Sequence, residues 1–191
     1  MVSLKNFTDN FPDISKDSLN SFIDLATEVQ FRKNVSLTKV GEVSNCFFII
    51  KSGIVRSYYT DEKGKEYTRT IFVPGKTTGS LSSLISGLPS KLTYECLTKC
   101  VVYKFYFEAF NNLKNQDPQI EKLYSKMLEY IFLLMESRIH DLAVLNATQR
   151  YLKLKREIPN IETMIPQYHI ASYLNVSAVQ LSRIRKEIYS K

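Results

Sequence analysis

The chain has 191 residues, 44% of them apolar and 24% charged, the balance of an ordinary globular protein with length for one large domain or two small ones. No apolar run reaches the ~18 residues that a membrane-crossing helix needs, and the first residues lack the apolar core of a secretory leader, so no membrane partner and a cytoplasmic location are expected. The net charge is +7, and three cysteines, Cys46, Cys96 and Cys100, form no Cys-x-x-Cys pair; with two distant histidines they predict no metal site.

In chain order, residues 3–27 read as a helical lead-in. Phe7, Phe11, Leu19, Phe22 and Ile23 supply apolar positions, and Ser15 or Asp17 starts a helix that runs to about Ala26. From Glu28 to Phe105 the apolar period shortens to that of strands. Short candidates at 29–31 and 35–37 precede the buried run Phe47-Phe48-Ile49-Ile50, which ends at Ser52-Gly53. Ile54-Val55-Arg56-Ser57-Tyr58-Tyr59 follows, and Asp61-Glu62-Lys63-Gly64 is a hairpin loop into a return strand at 66–73. Residues 92–97 and 101–105 are expected to form another strand pair. About eight short strands divided by turns predict a compact antiparallel β-roll, and all 6 glycines lie in this segment.

Residues 74–91 interrupt the roll. Pro74-Gly75 makes a turn, and Gly79 leads into a short helix at 81–85. Backbone N–H groups at such a helix start can cradle an anion; a plain connection between two strands accounts for the same residues.

From Gln116 the helical period returns. Asp117-Pro118 starts a helix of about 25 residues, near 38 Å long. Ile120, Leu123, Met127, Ile131 and Leu134 form one apolar stripe; Leu128, Phe132, Met135, Ile139 and Leu142 form a second. Two stripes fit two partners, the roll and a second copy of the chain, with the central helix of a monomeric core as the alternative. A further helix at 147–157 is expected to turn Tyr151, Leu152 and Leu154 inward and to stop at Pro159.

Residues 165–189 read as two short helices around a tight turn. Ile170, Ala171 and Leu174 share one face of the first. Asn175 suits a left-handed turn position, Val176 plugs the angle, and Ser177 caps a second helix that buries Leu181, Ile184 and Ile188. This is the pattern of a DNA-binding helix-turn-helix; a solvated hairpin with a basic rim is the alternative. The candidate DNA-contacting residues are Ser177, Ala178, Val179, Gln180, Ser182, Arg183, Arg185 and Lys186. Gln180 and Arg183 are assigned to base edges, since Gln suits adenine and Arg suits guanine; Arg185 and Lys186 are assigned to phosphate or base. From residue 147 onward eight basic residues (Arg150, Lys153, Lys155, Arg156, Arg183, Arg185, Lys186 and Lys191) face three acidic ones (Glu157, Glu162 and Glu187), so +5 of the +7 lies there.

The whole order resembles the family of the catabolite activator protein and the Fnr-type regulators. The resemblance rests on Phe47-Phe48-Ile49-Ile50-Lys51-Ser52-Gly53, on Pro74-Gly75 followed by Gly79, on Gly87-Leu88-Pro89-Ser90, and on Ile170-Ala171, Leu174, Val176-Ser177 and Leu181-Ser182-Arg183. It implies an α+β fold: an N-terminal antiparallel β-roll (a jelly-roll-like double-stranded β-helix) at 1–115, a long dimerisation helix at 116–145, and an all-α helix-turn-helix domain at 146–191. It implies a homodimeric regulator that pairs through residues 118–142, binds double-stranded DNA and carries a cyclic-nucleotide-binding-like sensory roll.

Two departures qualify the resemblance. The family's nucleotide-binding members have Gly-Glu and a later Arg in the loop, for the ribose and the cyclic phosphate. Here Gly79 is followed by Ser80, and the Arg position falls on Ser90 beside Lys91, a point charge without the guanidinium fork. The ligand-contacting positions become Gly79, Ser80, Leu81, Ser90, Lys91 and Leu92. Weak or absent cyclic AMP binding, another small-molecule effector or none, and no resident cofactor are expected. In the recognition helix, Ala178 and Val179 stand where the best-known members have Arg and Glu, so the operator should differ. A sensory module acting through protein partners is the alternative function. An enzyme is not expected: Ser82-Ser83, His140 and His169 form no nucleophile–base arrangement, and Gly75 with Gly79 is no P-loop.

Overall fold

The computed structural model describes residues 2–190. Two short helices, α1 (Leu4–Thr8) and α2 (Lys16–Asp24), precede eight strands: β1 (Thr27–Phe31), β2 (Ser36–Thr38), β3 (Cys46–Ser52), β4 (Val55–Thr60), β5 (Glu66–Phe72), β6 (Thr77–Thr78), β7 (Thr93–Cys96) and β8 (Cys100–Tyr106). Helix α3 (Leu81–Ser86) lies between β6 and β7. After the strands come α4 (Phe107–Gln116), α5 (Pro118–Val144), α6 (Ala147–Glu157), α7 (Ile161–Met164), α8 (Gln167–Tyr173) and α9 (Ala178–Tyr189). No helix among the described residues is long and apolar enough to cross a membrane.

The strands form two four-stranded antiparallel sheets, ordered β1-β8-β3-β6 and β2-β7-β4-β5. Successive side chains of a strand point to opposite faces, which divides the run in β3 between two cores. Phe48 and Ile50 join Val55, Cys96, Cys100 and Val102 between the sheets. Phe47 and Ile49 pack with Phe105 against Phe22, Phe110, Ile120 and Leu123 of α2, α4 and α5. A strand buried on both faces reads as continuously apolar, which is why the sequence showed no alternation here.

One expected pairing is corrected. Residues 92–97 and 101–105 do not pair with each other: β7 pairs with β2 and β4, and β8 with β1 and β3. The connection 97–99 crosses from one sheet to the other instead of folding back. It packs on a second crossing at Gly53-Ile54, where Ile54 N–H donates to Thr98 Oγ1 (2.9 Å) and Leu97 N–H to the Ile54 carbonyl (2.8 Å). A Cβ on Gly53 would sit 2.4 Å from the Lys99 carbonyl, and φ there is +91°, so both contact and conformation require glycine.

Two helices carried no clear start signal. Helix α4 begins at Tyr106 with no side-chain cap, and α7 follows Asn160 without one. Helix α5 shows its start plainly, with Asp117 accepting from Gln119 N–H and Pro118 in the first turn. Its first stripe is covered only as far as Met127: Ile131 is half-buried and Leu134 exposed, as are Phe132, Met135, Ile139 and Leu142 of the second. In α6, Tyr151 and Leu154 are buried, but Leu152 is 41% exposed, because it lies ~100° around the helix from Tyr151.

The helix-turn-helix is seated on the roll. Ile54, Ile71 and Leu97 belong to the same apolar cluster as Tyr151, Ile161, Ile170 and Leu181. Strand β5 is an edge, and α8 covers it: Ser172 Oγ accepts from Thr68 N–H (2.9 Å) and donates to the Glu66 carbonyl (3.2 Å).

Candidate nucleic-acid interface and sensory loop

Helix α9 begins with a reciprocal cap. Ser177 Oγ accepts from Gln180 N–H (3.2 Å), and Gln180 Oε1 accepts from Ser177 N–H (2.9 Å). Asn175, at φ +55°, turns the chain into it, and Val176 N–H donates to the Ala171 carbonyl (3.0 Å). Leu181 and Ile184 are buried against α6 and α8, with Ile188 packed beside them. At ~100° per residue, Ala178, Val179, Ser182, Arg183 and Lys186 then share about 140° of the opposite surface. All five are exposed, as are Ser177 and Gln180. Gln180 keeps its amide N–H groups for an outside acceptor, while its oxygen holds the cap.

Arg185 is placed differently. It lies at the border of the exposed face, half-buried, with Nε 2.7 Å from Glu162 Oε1. The N–H does not point along a hydrogen bond, so the contact is an ion pair rather than a directed bond. Other basic residues of this region are also held internally. Lys153 pairs with Asp141 (2.5 Å), and Lys155 with Glu162 (3.4 Å). Arg150 donates to the Leu145 and Leu174 carbonyls, at 2.5 and 3.2 Å. Among the described residues, Arg156, Arg183 and Lys186 have no ion-pair partner. Lys191, counted with the basic residues above, lies outside the described residues.

No periodicity or motif announces the groups that hold this unit together. Arg138 of α5 donates to the Tyr173 carbonyl and stacks 4.1 Å from that ring. Glu162 gathers Tyr151, Tyr189, Lys155 and Arg185. Buried Arg56 pairs with Glu66 and Glu95, both at 2.6 Å. His169, also buried, has its pKa lowered to about 4 by desolvation, with the Arg56 and Lys33 charges adding to it. Charged residues scattered along a sequence carry no periodicity, so only the fold reveals that they meet.

In the loop between β6 and α3, Gly79 has φ +131°, and a Cβ there would lie 3.3 Å from Phe47 Cα. Ser80 precedes α3 without capping it; its hydroxyl is buried and unpartnered, as are those of Ser57 and Thr78. The buried Tyr94 phenol is pushed up by desolvation, opposed by the Arg69 charge. The Leu81 N–H is taken by the Gly79 carbonyl (3.0 Å). Ser90 is a structural peg: its hydroxyl donates to the Leu92 carbonyl (2.8 Å), and its backbone joins Gly41 and Glu42 (2.8 Å each). Leu92 is buried, and Lys91, the one cation of residues 79–92, is exposed. These groups do not fit a cyclic phosphate, which needs buried charge-assisted donors.

Two antiparallel sheets rolled around an apolar core, a long helix and a helix-turn-helix make up the architecture of a cyclic-nucleotide-binding-like roll joined to a helix-turn-helix. Comparison with known proteins agrees: residues 28–117 match the model of the cyclic nucleotide-binding domain. The anaerobic regulatory protein of Aggregatibacter actinomycetemcomitans is 23% identical, over 88% of this chain and 68% of that protein. Among solved structures, FixK2 from Bradyrhizobium japonicum superposes with a TM-score of 0.75 at 20% identity, over 86% of this chain and 85% of that one. A transcriptional regulator of the crp/fnr family from Eubacterium rectale gives 0.74 at 14% identity, over 97% and 88%. In fold and order of parts the chain is similar to these solved structures, and the proteins it resembles include an anaerobic regulatory protein and a regulator of the crp/fnr family.

Proposed function

We propose that this protein is a homodimeric, cytoplasmic transcription regulator that binds double-stranded DNA through α9. Two copies pair along residues 118–142, and each α9 enters a major groove, with half-sites one helical turn or a multiple apart, about 34–36 Å per turn. Residues 1–115 act as the sensory roll, 116–145 as the connecting and dimerisation helix, and 146–191 as the DNA-binding unit. The observation that carries the reading is the exposed face of α9: Arg183 and Lys186, free of internal carboxylates, stand beside small Ala178 and Ser182 that let a backbone approach DNA. Arg183 serves a base edge and Lys186 a phosphate.

An effector, where one acts, enters at Gly79, Ser80, Leu81, Ser90, Lys91 and Leu92. The buried, unpartnered hydroxyls of Ser57, Thr78 and Ser80 favour an uncharged polar compound over a cyclic nucleotide. Calorimetry is expected to give no micromolar cyclic AMP binding, and such binding would refute this part.

The test of the whole is selection of bound sequences from a random DNA pool, with and without cyclic AMP. A two-fold symmetric motif, recovered equally in both arms, is the expected result. Enrichment only with cyclic AMP would overturn the reading of the loop and leave the DNA reading standing. No motif in either arm, with DNA affinity indifferent to salt, would replace the DNA reading with a sensory module acting through protein partners.

A further inference from the structure

Glu162 is a shielded carboxylate in a domain whose task, on the DNA-binding reading, is to present positive charge. It stands on the short α7, with its side chain 13% exposed. Its Oε1 accepts from the Tyr151 hydroxyl (2.5 Å) and lies 2.7 Å from Arg185 Nε. Its Oε2 accepts from the Tyr189 hydroxyl (2.7 Å) and lies 3.4 Å from Lys155 Nζ. Arg185 and Tyr189 belong to α9, and Tyr151 and Lys155 to α6, so one side chain ties the recognition helix to its support. Desolvation opposes its charge, but the two phenols and two cations outweigh it and hold its carboxyl below the usual range.

A cation in such a shielded pair is not free for phosphate. Turning Arg185 toward DNA would strip a largely shielded carboxylate of its nearest charge, and leaving one partner of a shielded pair without its counter-charge is costly. Arg183 and Lys186 bear no such restraint. We infer that Glu162 is a positioning residue that withholds Arg185 from DNA, fixing the recognition helix in place and limiting its own cationic contacts to Arg183 and Lys186. The inference rests on the DNA-binding reading above and replaces the phosphate-or-base role first assigned to Arg185.

The experiment follows binding of the full chain to a fluorescein-labelled mixed-sequence duplex between about 50 and 200 mM salt, since each phosphate contact contributes about 0.9 to the slope of log affinity against log salt. Lys186→Gln is expected to flatten the slope by about one unit per protomer. Arg185→Gln is expected to leave it unchanged, and Glu162→Gln, which frees Arg185, to steepen it by up to about one unit per protomer. A merely structural role for Glu162 would change affinity or melting temperature without steepening the slope. If Arg185→Gln flattens the slope as Lys186→Gln does, or Glu162→Gln leaves it as in the parent, the inference is overturned. Should Arg185→Gln fail to fold by circular dichroism, Glu162→Gln decides alone, because it preserves side-chain shape. A parent protein whose affinity ignores salt would instead remove the DNA reading itself, and the inference with it.

Discussion

The two halves of α5 share one apolar period and meet opposite surroundings. At its start, Leu123 is 0% exposed between the roll and α2 and α4; a few turns on, Phe132 is 61% and Ile139 66% exposed. Periodicity sets which residues share a face, while coverage depends on what the rest of the chain brings alongside. Here the phenylalanines of α2 and α4 reach only as far as Met127. Beyond it, α5 is mostly exposed, touching the roll through Tyr130 at Lys76 and Met135 at Arg69, until its end meets the helix-turn-helix, which returns to the roll through α8. The covered half therefore works as core, and the open half has the character of an unfilled interface.

The largest effect expected is at the covered end. Leu123→Ala should lower the stability of the roll by about 2–5 kcal/mol, as burial and a residual cavity require. Urea unfolding measures it, and a loss below about 1 kcal/mol would place Leu123 outside the core. The return of the helix-turn-helix to the roll can be separated from that core by pH. His169 is buried neutral with its pKa lowered to about 4, so its contribution is complete above the unfolded value near 6.5 and is lost as pH falls toward 4. Between pH 7 and 5 the parent should lose about 2 kcal/mol more than His169→Gln does. Equal losses in the two proteins would remove the assigned role of His169. A smaller loss, about 1 kcal/mol, is expected for Ser172→Ala, which leaves Thr68 N–H without its partner.

Much of this was legible in the sequence, for physical reasons that differ by element. Ser177, Asn175 and Asp117 announce themselves because caps and left-handed turns select few residue types. The roll declared itself through turn glycines and short strands, yet the pairing of 92–97 with 101–105 failed, because a three-residue connection can equally close a hairpin or cross between sheets. Gly53 was read as a strand end; its closeness to Lys99 is what makes the crossing possible. The recognition face was visible as a basic helix. That Arg185 belongs to Glu162 was not, since their separation of 23 positions in the chain follows no helical or strand period. Ser90 likewise reads as a ligand-loop residue by position, while its hydrogen bonds to Leu92, Gly41 and Glu42 make it part of the frame.

The smallest effect on folding should come from the open half of α5, where the comparison is sharpest. Phe132→Ser replaces a side chain that a single copy leaves mostly in water, so unfolding of a dilute sample should move by no more than about 0.5 kcal/mol. Association is the sensitive quantity. On the proposed pairing, Phe132 meets its counterpart in the second copy, and aromatic residues at the centre of an interface can each contribute 2 kcal/mol or more, roughly a thirtyfold change in dimer dissociation. Sedimentation at matched concentrations should show the parent as a dimer and Phe132→Ser shifted toward monomer, with a melting temperature that no longer rises with concentration. Unchanged mass would mean that the open stripe is not where two copies meet; the pairing surface would then have to lie elsewhere, and the distance between the two recognition helices would need to be derived again.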